Sequence, residues 1–208
     1  MAAVNSHCFE SLTEEKQKRI RDASLHEFGS LGYRKTSVRD IAEAAGISKS
    51  MIFHYFGTKK DLYLYLIDYC NQQLDIIARS VDPTVTDFFD RLAEVTSARG
   101  QVLGMCPYMF DFIASTYFEH DPEVAEELKK SRLTDNFSSL LLQGSDMSRL
   151  RDDVDPGMLF QIIRWITTGF YTEASREGEP PTGKLQRAYY NAVKFLKRCV
   201  YRPEYLQL

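Results

Sequence analysis

The sequence is short of the features that mark secreted, membrane and metal-binding proteins. Its four cysteines, Cys8, Cys70, Cys106 and Cys199, include no C-x-x-C pair, which argues against a zinc site or a disulfide framework. No apolar run approaches the ~20 residues that a membrane-spanning helix needs, and the longest covers only residues 62–67. The N-terminus lacks a basic start followed by a hydrophobic segment. We therefore expect a cytoplasmic protein.

Catalytic motifs are equally absent. The chain contains no H-E-x-x-H pair, no P-loop, no dinucleotide fingerprint and no nucleophile motif. The histidines do not fall at metal-ligand spacings either; they are His7, His26, His54 and His120. We therefore expect no catalytic residue, no metal and no cofactor, and hence a protein that is not an enzyme.

Charge is unevenly distributed along the 208 residues. The net charge is −3, yet residues 1–60 hold ten Lys and Arg against seven Asp and Glu, which gives +3 there and leaves −6 for residues 61–208. Such segregation is expected where one end of a protein faces phosphate groups and the remainder repels nucleic acid. The difference is modest, so it supports DNA binding without deciding the question.

Nearly every segment has helical periodicity, and Gly and Pro recur at the intervals of helix ends. The fold class is therefore predicted to be all-α. Apart from the central pair described next, we expect helices from Thr13 to Gly29 or Gly32, Thr58 to about Ala78, Asp82 to about Gly100, Met105 to Phe118, Asp121 to Leu142, Pro156 to about Arg176, and Lys184 to about Tyr201.

Residues 37–56, SVRDIAEAAGISKSMIFHYF, predict two short helices joined by a tight turn. Ser37 and Ser48 are good N-caps, and Gly46 stands where the first helix needs a left-handed residue to end. The inward positions of the second helix include Ile52, Phe53 and Phe56. Its outward positions are mostly Lys49, Ser50, Met51, His54 and Tyr55. This arrangement is typical of a helix-turn-helix, although such patterns also arise by chance in all-α proteins.

The surrounding residues resemble the N-terminal domain of the TetR family of transcriptional regulators. The resemblance runs from about Lys16 to Ile67, with F-x-x-x-G-Y at 28–33, then KTSVRDIAEAAGISKS, then MIFHYFGTKKDL. It implies a three-helix helix-turn-helix DNA-binding domain, residues 1–60, followed by a larger helical ligand-binding and dimerisation domain, residues 61–208. The chain departs from the family at Phe53, where Tyr is usual, and at Ser50, where Gly or Pro is common.

A recognition helix needs side chains that reach base edges from its first turns. Lys49 is suited to donate to guanine, Ser50 is permissive, and Met51 offers apolar contact, with Phe53 and His54 next along. Phosphate contacts are expected from Thr36, from the helix starts at Ser37 and Ser48, from Tyr55 and from Lys59. The alternative for His54 and Tyr55 is that they merely cover the helix surface.

We also expect a homodimer through the last two long helices. The residues predicted to form the interface are Leu159, Ile163, Ile166, Phe170, Leu185, Tyr189, Ala192, Val193 and Leu196. The alternative is that this apolar set packs only inward.

A ligand site is expected among the middle helices, which are rich in aromatic and Met side chains. The predicted wall residues are Phe88, Met109, Phe112, Tyr117 and Trp165. Four nearby charges are candidates to orient a polar end of the ligand, namely Arg99, Asp111, Glu119 and Arg164.

These features together predict a ligand-responsive transcriptional regulator. We expect a repressor that binds a near-palindromic operator in double-stranded DNA and is released by a small hydrophobic or aromatic ligand. The alternative is a DNA-bound adaptor of the same fold that recruits a protein partner and has no small-molecule inducer. A closed apolar pocket would favour the first reading, and an exposed apolar patch outside the dimer interface would favour the second.

Overall fold

A computed structural model describes residues 6–131, 133, 140–177 and 184–206 of the chain. The helices are α1 (Ser6–Glu10), α2 (Glu14–Lys35), α3 (Val38–Ala44), α4 (Lys49–Phe56), α5 (Lys59–Ser80), α6 (Phe88–Met105), α7 (Met109–Thr116), α8 (Ala125–Lys130), α9 (Pro156–Glu177), α10 (Lys184–Val200) and a short 3-10 helix (Pro203–Tyr205). Over these ranges, β-type pairing amounts to two isolated bridges. The predicted all-α fold is confirmed.

The chain forms two compact units. The first comprises Met1–Asp75 together with Cys106–Thr134, and the second comprises Ile76–Met105 together with Asp135–Leu208. The packing thus places residues 106–134 with the N-terminal helices. The boundary predicted near residue 60 separates a DNA-binding domain from a ligand-binding and dimerisation domain. This functional division stays a prediction.

The first unit is built around a close approach of α2 and α7. A methyl group added to Gly29 of α2 would lie 3.0 Å from the backbone nitrogen of Phe112, so the two helices leave no room for a side chain there. Phe112 and Phe28 both pack edge-on against the ring of Tyr63 on α5, with centroids 5.2 and 5.0 Å away. These buried aromatic rings form much of the core beneath the helix-turn-helix.

The second unit has its own apolar core, formed mainly by α6, α9 and the end of α10. Its buried members are Phe88, Phe89, Leu92, Leu141, Leu150, Leu159, Ile163, Val200 and Tyr201. At the start of α6 the Asp87 carboxylate accepts hydrogen bonds from the backbone nitrogens of Phe89 and Asp90, both at 3.0 Å. Asp87 is therefore an N-cap, and α6 begins at Phe88 rather than near Asp82 as predicted.

Two other helices are shorter than predicted. Helix α7 begins at Met109, so Pro107 precedes it; a proline, which lacks a backbone N–H donor, is thereby kept out of the helix interior. Helix α8 ends at Lys130, and part of the predicted helix from Asp121 to Leu142 falls on residues 132 and 134–139, outside the described residues. None of the described helices is long and apolar enough to span a bilayer.

Candidate nucleic-acid interface

The helix-turn-helix forms as its cap residues predict. Ser37 Oγ accepts a hydrogen bond from the Arg39 nitrogen at 3.1 Å, and Ser48 Oγ accepts one from the Met51 nitrogen at 3.4 Å. Gly46 has φ +63, a left-handed conformation that costs a glycine little, and it directs the chain from α3 into α4. The positions of α3 and α4 therefore follow largely from local sequence.

The outer face of α4 carries most of the residues predicted to contact DNA. Lys49, Ser50 and His54 are exposed, and Met51 is half-buried. Ser48 Oγ and Ser50 Oγ lie 2.9 Å apart and share a hydrogen bond at the start of the helix. These side chains present a cation, two hydroxyls and an imidazole on one surface, which is the chemistry that base edges and phosphates accept.

Phe53 faces outward, which corrects its predicted inward orientation. Its side chain is 39% exposed, since position 53 is one turn beyond Lys49 on the same face of α4. The Lys49 ammonium lies 5.6 Å from the centre of the Phe53 ring, a cation–π contact. The ring therefore supports the lysine that is predicted to read guanine.

Tyr55 faces inward, which corrects its predicted outward orientation. The residue is only 3% exposed because α1 covers it: the Phe9 ring lies 6.0 Å from Tyr55 and 4.8 Å from Phe56. Sequence reasoning missed α1, since five residues are too few to show helical periodicity. The one available signal was Phe9 itself, the only Phe, Tyr or Trp among residues 1–27.

Thr36 is also buried. Its hydroxyl donates to the carbonyl oxygens of Gly32 at 2.7 Å and Glu27 at 3.0 Å, and so closes the end of α2. A phosphate contact by the Thr36 side chain stays a prediction, and it would require these bonds to open.

Lys59 lies at the N-terminus of α5 beside the α2–α3 turn. Its ammonium donates to the Arg34 carbonyl oxygen at 3.3 Å and lies 4.5 Å from the centre of the Tyr33 ring. Partial burial lowers the pKa of Lys59, while the carboxylates of Glu123, Asp121 and Glu119 act in the opposite direction. Lys59 thus lies within electrostatic range of acidic side chains that the sequence did not indicate near it.

The five predicted ligand-wall residues fall in different environments. Met109, Phe112 and Tyr117 belong to the first unit, and Phe88 and Trp165 belong to the second. Met109, Phe112 and Phe88 are fully buried within their units, whereas Tyr117 is partly exposed and Trp165 is 62% exposed. Their role in ligand binding stays a prediction.

A surface cleft of about 460 Å³ opens on the first unit, and half of the eight residues that line it are Lys, Arg, Asp or Glu. It is lined by Glu15, Lys18, Arg19, Asp22, Ala23, His26, Ala44 and Tyr108. None of the five predicted ligand-wall residues lies in this lining. Within the described part of the chain, no cluster of three or more His, Cys, Asp or Glu side chains is arranged to hold a metal ion.

Comparisons with known proteins agree with this geometry. Residues 20–66 match the model of the tetR family of bacterial regulatory proteins. The chain is similar to the HTH-type transcriptional regulator RutR of Escherichia coli K12, with 28% identity over 83% of this chain and 81% of that protein. It is equally similar to the HTH-type transcriptional repressor AcnR of Corynebacterium efficiens, with 28% identity over 90% of this chain and 94% of that protein.

A solved structure supports the same assignment over nearly the whole length. The crystal structure of a TetR family transcriptional regulator from Chloroflexus aurantiacus covers 94% of this chain and 98% of its own, with 26% identity and a TM-score of 0.68. The caps, the turn at Gly46 and the exposed face of α4 lie within the segment that the family model matches. Residues 20–66 therefore match the DNA-binding domain of the tetR family of bacterial regulatory proteins, and over most of its length the chain is similar to transcriptional regulators of that family.

Proposed function

We propose that the protein is a ligand-responsive repressor that binds a near-palindromic operator as a homodimer. The observation that carries this proposal is the outer face of α4, where Lys49, Ser50, Phe53 and His54 are exposed together at the start and middle of the helix. A helix that presents such side chains from its N-terminal turns is suited to the major groove of B-DNA.

The roles within this face follow from chemistry. Lys49 donates to guanine acceptors, Phe53 supports it and offers apolar contact to a thymine methyl, and Met51 adds apolar contact. Ser37 and Ser48 place the starts of α3 and α4 toward phosphates, and Lys59 supplies a positive charge at the start of α5. Base contacts choose the sequence, and phosphate contacts fix the register.

A homodimer is supported by an exposed apolar face on α9 and α10. On α9, Met158, Trp165 and Gly169 are exposed with half-buried Ile162 among them, at spacings that place all four on one side of the helix. Phe195 on α10 is 69% exposed. Gly169 has no heavy atom within 4 Å of the position of an added methyl, which leaves room for a partner helix.

This face differs from the one predicted from sequence. Leu159, Ile163, Phe170 and Tyr189 were predicted to meet a second chain, but all four are buried within the second unit. The other described members of the predicted interface are half-buried, and their contact with a second chain stays a prediction: Ile166, Ala192, Val193 and Leu196. The side chain of Leu185 lies outside those described. We therefore assign the interface to the neighbouring positions on the same two helices, because these are the apolar groups that a second chain would remove from water.

The effector is inferred to be a hydrophobic molecule with at least one polar group. Among the described residues, none lies within hydrogen-bond reach of the buried Tyr63 hydroxyl on α5, whose ring packs against Phe112. An unsatisfied buried hydroxyl is costly, so a polar group or water beside it is favoured. The transcriptional regulator FadR of Bacillus subtilis, 17% identical with a TM-score of 0.57, was crystallised with stearoyl-CoA.

The test begins by selecting bound fragments from the source genome and measuring their affinity by fluorescence anisotropy. A panel of acyl-CoA, steroid and aromatic compounds is then added to the complex. A tenfold loss of DNA affinity requires the ligand to prefer the released state by ~1.4 kcal/mol. Tyr63→Phe should reduce the release without altering ligand-free affinity, while the exposed Tyr205→Phe should alter neither. Failure to select any fragment would refute the DNA-binding role.

A different feature favours the alternative function, that of a DNA-bound adaptor that recruits a protein partner. Phe118, just after α7, is 81% exposed next to the partly exposed Tyr117, and this apolar pair lies outside the α9 and α10 face. Such a pair is suited to a protein partner. If no compound releases the DNA and Phe118→Ser leaves operator affinity intact while abolishing regulation in cells, the adaptor function replaces the ligand-responsive one.

A further inference from the structure

Helix α2 is interrupted at Gly32, immediately before the segment that enters α3. Gly32 has φ 74° and ψ 171°, a backbone conformation that residues other than glycine rarely adopt. The break removes the Tyr33 backbone N–H from the regular ladder of α2. The Tyr33 nitrogen donates instead to Glu119 Oε2 at 2.7 Å, across 86 residues of sequence.

Glu119 uses both of its carboxylate oxygens. Oε1 accepts from the Asp121 nitrogen at 2.8 Å, which fixes the loop that follows α7, while Oε2 accepts from Tyr33. A methyl group added to Gly32 would lie 3.3 Å from Oε2, so the glycine also makes space for the carboxylate. Hydrogen bonds from N–H groups to a carboxylate are stronger than those to neutral acceptors.

The segment held by Glu119 leads directly into the helix-turn-helix. Thr36, three residues beyond Tyr33, returns its hydroxyl to the Gly32 carbonyl oxygen, and Ser37 then caps α3. Lys59 donates to the carbonyl oxygen of Arg34 in the same turn. The path from Gly32 to Ser37 is therefore fixed at one end by Glu119, one of the four charges that the sequence offers as candidates to orient a polar end of the ligand.

We propose that Glu119 is a positioning residue for DNA binding: its bond to the Tyr33 N–H holds the turn that sets α3 and Lys59 in place. The inference rests on the DNA-binding role proposed above. Since α7 packs on α2 at Gly29 and Glu119 follows α7 closely, a shift of α7 would change this bond and hence the DNA affinity. Glu119 thereby couples residues 106–134 to the α2–α3 turn.

If charge alone mattered, removing the negative charge of Glu119 would raise the DNA affinity, whereas our proposal predicts that it falls. Glu119, Asp121 and Glu123 lie close enough to Lys59 to act on its ammonium group. A loss of negative charge near a phosphate-binding lysine should raise DNA affinity if the charge is all that matters. A loss of the positioning bond should lower it. The sign of the change therefore separates the two accounts.

The experiment compares Glu119→Gln, Glu119→Asp and Glu123→Gln in the full-length protein. Operator affinity is measured by fluorescence anisotropy, and exchange of the Tyr33 amide is measured by NMR without DNA. We expect Glu119→Gln to lower operator affinity about tenfold and to speed Tyr33 exchange, because Gln offers one acceptor oxygen where two are used. Glu119→Asp keeps the charge but shortens the side chain, and should also lose affinity.

Glu123→Gln is the matched control. It removes one negative charge from the same loop, and its side-chain oxygen can still accept the Tyr33 hydroxyl that Glu123 contacts. Its operator affinity should stay the same or rise, with unchanged Tyr33 exchange. A rise in affinity for Glu119→Gln, or a Tyr33 amide whose exchange is unaffected by either Glu119 variant, would overturn the proposal. If the wild-type protein binds no genomic fragment, the proposed function fails, whereas the exchange result still decides whether Glu119 holds Tyr33.

Discussion

Two lysines of the helix-turn-helix segment lie in different environments. Lys49 extends along the exposed face of α4 with its ammonium over the Phe53 ring. Lys59 sits at the start of α5, hydrogen-bonded to the Arg34 carbonyl oxygen. The first position suits a base contact and the second suits a phosphate contact, so the two residues should respond differently to DNA sequence and to salt.

Lys49→Ala should change sequence preference, whereas Lys59→Ala should weaken binding to all sequences. For Lys49 we expect a loss of ~1–3 kcal/mol at one base pair, with little change elsewhere. For Lys59 the slope of log affinity against log salt concentration should fall by about 1. Both effects are measurable by anisotropy with an operator and its single-base variants at several salt concentrations.

Lys194→Ala is the control, since Lys194 is exposed on α10, away from the helix-turn-helix in sequence. It should leave affinity and salt slope unchanged. A Lys59→Ala protein with its full salt slope would show that Lys59 makes no phosphate contact.

At the scale of elements, α1 is a short helix with a large role. Phe9 is fully buried, and its ring packs against Tyr55, Phe56 and Tyr65 at centroid distances of 6.0, 4.8 and 5.2 Å. It therefore covers the inner face of α4 and joins it to α5. Five helical residues are too few to be stable alone, so α1 depends on this packing.

Phe9→Ala should destabilise the protein and weaken operator binding. Removing a buried phenylalanine costs about 3–5 kcal/mol where the site cannot collapse, and less where an end segment frays. Urea unfolding gives the stability, and anisotropy gives the affinity. Cys8→Ala, at an exposed position next to Phe9, should affect neither. An unchanged unfolding midpoint for Phe9→Ala would mean that α1 does not stabilise α4.

Helix α6 depends on a buried carboxylate at its start. Burial alone would raise the pKa of Asp87, but hydrogen bonding from Asp90 and the charges of Lys197 and Arg149 hold it below its ordinary value of 3.8. Because the pKa is depressed in the folded state, the stability that Asp87 contributes is present above 3.8 and is lost as pH falls through the folded pKa.

Asp87→Asn should therefore reduce both stability at neutral pH and its dependence on acid. The expected loss at neutral pH is about 1–3 kcal/mol, since Arg149 and Lys197 lose their anionic partner. Between about pH 5 and pH 2 the wild type should lose more stability than the variant. Urea unfolding across this range is the measurement. The exposed Asp75→Asn should behave as the wild type does, and an identical acid response of Asp87→Asn would contradict the assignment.

The sequence predicts best those helices whose ends are determined by capping residues next to them in the chain. Ser37, Ser48 and Thr58 each cap a helix through their own hydroxyl, and each is followed at once by its helix. Contacts between distant residues leave no such mark. Nothing near Tyr33 in the sequence indicates Glu119, and nothing near Gly29 indicates Phe112. The recognition helix was therefore predictable, whereas the support behind it was not.

At the scale of the whole molecule, the proposed dimer depends on which apolar face of α9 is left exposed. This helix is apolar on more than one side: Leu159 and Ile163 are buried, whereas Met158 and Trp165 are exposed. Periodicity identifies both sets but cannot say which one the chain covers itself, because adjacent positions belong to neighbouring faces. Only the packing of the second unit distinguishes them.

The single tryptophan of the chain makes association observable. Trp165 is largely exposed, so its emission should move to shorter wavelength as dimers form and water leaves the indole. Dilution should reverse the shift, and sedimentation should give twice the chain mass at micromolar concentration. Phe195→Glu should prevent the shift, since a charge buried at the centre of an interface costs about 2 kcal/mol or more.

Lys129→Glu is a control for the charge change, because Lys129 is exposed on α8, outside the proposed interface. It should dimerise like the wild type. A wild-type protein that sediments as a monomer at micromolar concentration, with concentration-independent emission, would refute the dimer.

The first unit is built from two separate stretches of the chain, so it cannot be completed until the second stretch has been synthesised. Helix α2 and the start of α5 leave the ribosome well before residues 106–134, which complete the same unit. At a synthesis rate of roughly 5–20 residues per second, the wait lasts on the order of seconds. During that time the surface of α2 at Gly29 and the Tyr63 ring lack their partner Phe112. The nascent chain therefore presents apolar surface to chaperones, and a fragment ending at residue 75 would be prone to aggregate instead of acting as a separate DNA-binding domain.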